Sequence, residues 1–108
     1  MPQIVELDVS NTALTDHSLL EIAKLTELKT LLAYETQITG ANLHSLLKAC
    51  PNLRELNLDH TLLSDEAALQ LQSYPALQAV SIVCDGVSDR CVETLRDSLP
   101  NTDIDGDE

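Results

Sequence analysis

One pattern recurs four times along the chain and leaves little freedom in how the backbone can be laid out. It reads apolar-x-x-apolar-x-apolar-x-x-Thr-x-apolar-Ser/Thr, and its fullest copy opens the stretch from Leu53 to Leu71. The copies place Ile4, Leu7, Val9, Thr12 and Leu14 over Leu28, Leu31, Ala33, Thr36 and Ile38. These lie over Leu53, Leu56, Leu58, Thr61 and Leu63, and finally over Leu77, Val80, Ile82, Asp85 and Val87. The steps are 24, 25 and 24 residues. A unit this short cannot bury its own apolar face, so copies must stack, each covering the next.

Within each copy, apolar-x-apolar spacing sends both side chains to one face of a short strand, which must be the core face. Thr15, Thr39, Ser64 and Ser88 follow the last apolar ladder position, where a hydroxyl can cap a helix. Asp16, Asp65, Glu66 and Asp89 suit the positive end of the helix dipole. The spacing predicts helices over roughly 17–25, 41–49, 65–73 and 89–98, each burying one stripe: Leu19/Ile22, Leu43/Leu46, Ala68/Leu71 and Val92/Leu95. Lys24, Lys48 and Arg96 fall toward helix ends, where positive charge is favoured. Pro51, Pro75 and Pro100 stop the second, third and fourth helices. The residues Leu99 to Ile104 read as the start of a fifth strand that the chain does not complete, with an acidic frayed tail over 100–108.

This pattern resembles the leucine-rich repeat family in its Thr/Cys-type, ribonuclease-inhibitor-like or F-box-associated variety. The resemblance implies an α/β fold: a right-handed solenoid of about four strand–helix repeats, at 4–27, 28–52, 53–76 and 77–99, in a single domain. It also implies a parallel curved sheet with helices on its convex side, and binding of another protein as the general activity. Thr12, Thr36, Thr61 and Asp85 stand where related repeats carry Asn or Cys, a structural position at which an inward side chain satisfies backbone groups. Asp85 departs from the pattern, so either that turn is open to water or Asp85 and Gly86 turn the chain differently.

The residues between the core ladders point to the concave side of such a sheet. One column is Glu6, Thr30, Glu55 and Ala79; the next is Asp8, Leu32, Asn57 and Ser81; the third is Ser10, Tyr34, Asp59 and Val83. Neighbouring strands bring these to within about 5 Å of one another. Leu32 and Tyr34, with Val83 on the far side, form a small apolar island among Glu6, Asp8, Glu55 and Asp59, the anatomy of a binding surface. The competing reading is scattered exposed apolar residues, which need no explanation. With two Tyr and no Phe or Trp in the sequence, Tyr34 and Tyr74 are the aromatic anchors to place first.

Charge narrows the partner. Six Lys and Arg against eighteen Asp and Glu give a formal charge of −12, which repels nucleic acid and anionic membrane alike. The charge itself reads either as plain solubility or as steering toward a basic partner, and the resemblance makes that partner a protein. Chemistry is sparse: there is no Gly-rich phosphate loop, nucleophile elbow or metal motif, and no cofactor is indicated. His60, beside Glu35 and Asp59, reads as a surface histidine with acidic neighbours rather than an acid/base or metal site. His17 and His44 sit on solvent-facing helix surfaces. Asn101-x-Asp103-x-Asp105-Gly106 copies the opening of a calcium loop but lacks its bidentate carboxylate at position 12, the chain ending at position 8, Glu108. Cys50, Cys84 and Cys91 are odd in number, which fits a reducing compartment. Cys91 lies early in the fourth helix with Asp89 acting against thiol ionisation, and reads as structural. With neither an amino-terminal signal nor a long apolar run, the expectation is an intracellular, cytoplasmic protein.

The reading that follows is a non-catalytic interaction module binding a protein through Glu6, Asp8, Ser10, Leu32, Tyr34, Glu55, Asn57, Asp59, Ser81 and Val83. The first strand has no cap before it, so its open edge at 4–10 offers self-association or docking as a structural subunit or assembly factor. The resemblance adds two more readings: the substrate-recognition part of a ubiquitin-ligase adaptor, whose F-box another chain would supply, and an inhibitor of a basic enzyme.

Overall fold

Five three-residue strands build the protein, whose computed structural model describes residues 4–106. They are β1 (Glu6–Asp8), β2 (Thr30–Leu32), β3 (Glu55–Asn57), β4 (Ala79–Ser81) and β5 (Asp103–Asp105), paired parallel in chain order. Leu7, Leu31, Leu56, Val80 and Ile104 stand in one row across the sheet. Between the strands run α1 (Asp16–Ile22), α2 (Leu43–Ala49), α3 (Asp65–Ala68) and α4 (Asp89–Ser98). A 3₁₀ segment, Leu69–Ser73, continues α3.

The row of strand centres and the four helix stripes share one apolar core. Leu19, Leu43, Leu46, Ala68, Leu71 and Leu95 are wholly buried, so the spacing of three in the helices does what the pattern requires. Because the strand centres face the helices, their neighbours Glu6, Asp8, Thr30, Leu32, Glu55, Asn57, Ala79 and Ser81 lie on the opposite, open face. The first copy is the exception to burial. Ile4 occupies an inward ladder position yet is 46% exposed, where its counterparts Leu28, Leu53 and Leu77 are at most 3% exposed, because among the described residues β1 is the edge of the sheet.

Each strand leaves the sheet through the same hook. The hydroxyls of Thr12, Thr36 and Thr61 donate to the carbonyls of Val9, Ala33 and Leu58, three residues back, at 2.7–2.8 Å. Just before each hook, Asn11, Glu35 and His60 take left-handed backbone angles (φ 60°, 55° and 56°) while their amides donate to the carbonyls of Tyr34, Asp59 and Val83, just past the neighbouring strand. Copy four breaks the rule. Asp85 is exposed and forms with Gly86 a tight turn closed by the Val87 amide on the Cys84 carbonyl, and the Cys84 thiol donates instead to the Leu58 carbonyl.

Several helix starts differ from the sequence expectation. Ser64 and Ser88 cap α3 and α4 through the amides of Ala67 and Cys91, but Thr15 makes no side-chain cap. Thr39 is not a cap at all; α2 begins at Leu43 after Asn42. The reason is Gly40, buried at φ 97°, which carries the chain through an extra turn before the helix. Lys24 lies past the end of α1, paired with Glu21 at 2.6 Å. The tail is not frayed as far as residue 106. Thr102 hooks its hydroxyl onto the Leu77 carbonyl, Ile104 is 3% exposed, and Arg96 of α4 places two guanidinium N–H groups on the Ile104 carbonyl at 3.1 and 2.9 Å. Glu108, where the calcium-loop reading stops, lies outside the described residues.

Adjacent copies are also clamped at their helix starts. The Asp16 carboxylate accepts from the Thr39 and Gly40 amides and the Thr39 hydroxyl, and the Asp65 carboxylate accepts from the Ser88 amide at 2.7 Å and the Ser88 hydroxyl at 2.8 Å. At the equivalent place in copy two stands Gly40, and close approach replaces the clamp. A Cβ there would sit 2.5 Å from the Ala67 Cβ and 2.8 Å from Leu63. Gly40→Ala is therefore expected to lower stability by about 2–4 kcal/mol, through backbone strain and overpacking together, as measured by urea denaturation. The bonds from the Ser88 amide and then its hydroxyl hold the Asp65 carboxyl below its ordinary range. Since the folded value is the lower one, the clamp contributes fully above the ordinary carboxylate range and is lost as pH falls through the folded value. Solvent screening keeps the effect modest. Asp65→Asn should flatten the acid limb of the Tm-against-pH curve while changing Tm least at the lowest pH.

Candidate functional site

The open face carries the residues singled out from sequence, and their side chains form two overlapping groups, with Asn57 and Ser81 in both. The first group is spent on the protein's own backbone. Asp8 Oδ1 accepts from the Ser10 amide and Asn57 Oδ1 from the Asp59 amide, each two residues on. Ser10 Oγ accepts from the Tyr34 amide across the β1–β2 gap. Asp59 Oδ1 accepts from the Ser81 hydroxyl at 2.6 Å and the Val83 amide at 2.8 Å, so this carboxylate leans onto the fourth copy and stands between Tyr34 and Val83. These bonds continue the sheet by side chain just where the strands end.

The second group lines a depression over β4. Its volume is about 190 Å³, and Glu55, Asn57, Ala79, Ser81, Asp103, Asp105 and Leu32 border it. The register explains it. Glu55, Ala79 and Asp103 are neighbours across three strands, as are Asn57, Ser81 and Asp105, so two small side chains on β4 lie between longer polar ones on either side. Carboxylates flank the hollow and an aliphatic side chain, Leu32, edges it. Such a hollow suits a cationic side chain with an apolar stem, whose charge meets the carboxylates while its methylenes cover Ala79 and Leu32.

The structure thus gathers Leu32, Glu55, Asn57 and Ser81 at one place and leaves Glu6, Asp8, Ser10, Tyr34, Asp59 and Val83 outside its rim. Asp103 and Asp105 were missed because the tail looked acidic and frayed. The signal was present: Ile104 follows Val80 by the repeat interval, which puts Asp103 and Asp105 in the same two columns as Ala79 and Ser81. Against known proteins, the chain matches no family model and no curated sequence.

Other reactive groups are accounted for by packing. His60 is exposed on its left-handed turn, and among the described residues no three or more His, Cys, Asp or Glu could together hold a metal ion. Cys91 is buried, and its thiol is pushed up to about 11 by burial and then by the Asp65 charge, so the opposing carboxylate comes from the preceding copy rather than from Asp89. Burial also raises the Cys50 thiol, which donates to the Leu25 carbonyl at 3.3 Å. The second tyrosine, Tyr74, lies away from the open face. Its hydroxyl meets His44 Nδ1 at 2.5 Å and its ring borders an apolar hollow of about 390 Å³ with Leu47, Pro51 and Pro75. No helix among the described residues is long and apolar enough to cross a membrane.

The bond network on the open face makes a direct expectation. Removing the Asp59 carboxylate orphans the Val83 amide and the Ser81 hydroxyl, so Asp59→Ala should cost about 1–3 kcal/mol of folding stability in urea titration. Glu55→Ala, whose carboxylate borders the hollow, should stay within about 0.5 kcal/mol of the parent.

Proposed function

We propose that the chain is a leucine-rich-repeat interaction module, non-catalytic, that binds a protein through the open face of its sheet and receives a Lys or Arg side chain in the hollow over β4. The observation that carries this reading is the register of β3, β4 and β5, which sets Ala79 and Ser81 between Glu55, Asn57, Asp103 and Asp105. The four in-step copies and the threonine hooks support the repeat family; the formal charge of −12 supports a basic partner. In such an interface the carboxylates steer and orient, while the apolar strip of Leu32 and Tyr34 supplies contact area.

A peptide array of varied sequence, probed with the labelled chain, tests this. The expected outcome is selection of Lys- and Arg-containing peptides, with amide shifts at Ala79 and Ser81 on binding. A Glu55→Lys/Asp103→Lys variant should lose at least tenfold in affinity at unchanged Tm, consistent with about 1.4 kcal/mol or more. Tyr34→Ala should cost about 1 kcal/mol if the partner extends over β2. Equal binding by the charge-reversed variant would sink the reading.

A further inference from the structure

The two ends of the sheet are built differently. At β5 the outward carbonyl of Ile104 is already occupied by two N–H groups of Arg96. At β1 nothing comparable is found among the described residues. The Val9 and Asn11 amides donate to Leu32 and Tyr34, and the Val5 carbonyl accepts from Lys29 and Thr30, so the odd-numbered residues face β2. By alternation the backbone groups of Glu6 and Asp8 face away from the sheet. Ser10, the next in that series, has its amide covered by Asp8 Oδ1. The edge therefore offers a short run of donors and acceptors at Glu6 and Asp8, with the exposed Ile4 and Val5 and the half-buried Leu7 beside it.

A second copy of the chain is a poor occupant for this edge. Two β1 strands paired about a two-fold axis would set Glu6 and Asp8 opposite the same acidic pair, and like charges directly opposite are destabilising. Head-to-tail stacking on β5 would align them with Asp103 and Asp105, on an edge where Arg96 already holds the central carbonyl. We propose that the outer edge of β1 takes up, as an added strand, an extended segment of a different protein in which two Lys or Arg residues flank an apolar one. The flanking cations come beside Glu6 and Asp8 on the open face, about 5 Å away, and the apolar residue lies beside Leu7 on the core face. Alternation gives this arrangement for either direction of the incoming strand.

The test uses the full 108-residue chain and three synthetic peptides: one with a Lys-Leu-Lys-Val core, one with Glu-Leu-Glu-Val, and one with Lys-Pro-Lys-Val. Amide hydrogen exchange of the wild-type protein reads the edge directly, without depending on a variant that folds. The proposal expects the Lys-Leu-Lys-Val peptide alone to slow exchange at Glu6 and Asp8 at least tenfold, with protection declining as salt is raised. A Glu6→Lys/Asp8→Lys variant of unchanged Tm should then prefer the Glu-Leu-Glu-Val peptide, whereas Glu55→Lys/Asp103→Lys should leave edge protection intact. The proposal is overturned if Glu6 and Asp8 stay unprotected, or if all three peptides protect them alike. It is overturned equally if shifts appear only at Ala79 and Ser81, which would assign the basic peptide to the hollow over β4. Sedimentation equilibrium showing a dimer that the basic peptide dissociates would make a second copy the occupant.

Discussion

Everything in this protein depends on lateral burial: no copy of the repeat can hide its own leucines, and each does so against its neighbours. In-step parallel pairing is what makes that burial continuous, because Leu31, Leu56, Val80 and Ile104 then fall in one row beneath the helices. A one-residue slip would turn the row toward solvent and bring the acidic columns inward. The backbone hooks at Thr12, Thr36 and Thr61 and the carboxylate clamps at Asp16 and Asp65 guard this register from both ends of the strand-to-helix connection. Contacts between neighbouring strands and between neighbouring helices thus dominate.

Much of this was legible in the spacing of the residues. Strand centres, the four helix stripes and the buried Thr36 and Thr61 follow from period two, a stripe spacing of three, and the 24–25-residue repeat. What escaped had a physical cause each time. Thr39 has the composition of a cap, but Gly40 bends the chain first and Asp16 claims the hydroxyl. Asp16 and Asp65 look like residues placed for a helix dipole, and a single copy of the repeat does not reveal that their carboxylates reach the following copy. The start of a fifth strand was readable, but not its completion through Asp105, because one isoleucine between two aspartates reads as a solvated tail unless it is aligned with the preceding copies. The 3₁₀ segment at Leu69–Ser73 has no signal that separates it from a helix of the same pattern.

The same argument applies to the open face. Alternation places the columns correctly, yet cannot say which polar side chains are already committed to the backbone. Asp59 and Glu55 are both carboxylates on the third copy, two columns apart; one holds Val83 and Ser81 in place, the other borders a hollow. The difference arises because strands end after three residues. Beyond them the next copy's amides need acceptors that main-chain pairing no longer supplies, and side chains at the third column provide them. In the first column Glu55 stays out of this network and borders the hollow, whereas Asp8 and Asn57 of the second are committed to backbone amides.

The guanidinium of Arg96 gives the molecule a direction. Among the described residues that side chain holds the outward carbonyl of β5 while no comparable group meets the edge of β1, so the two ends of the sheet are not equivalent. A strand added at β1 therefore meets main-chain groups directly, whereas one added at β5 must first displace a charged side chain from the Ile104 carbonyl, so the cost of lengthening the sheet differs between its two ends.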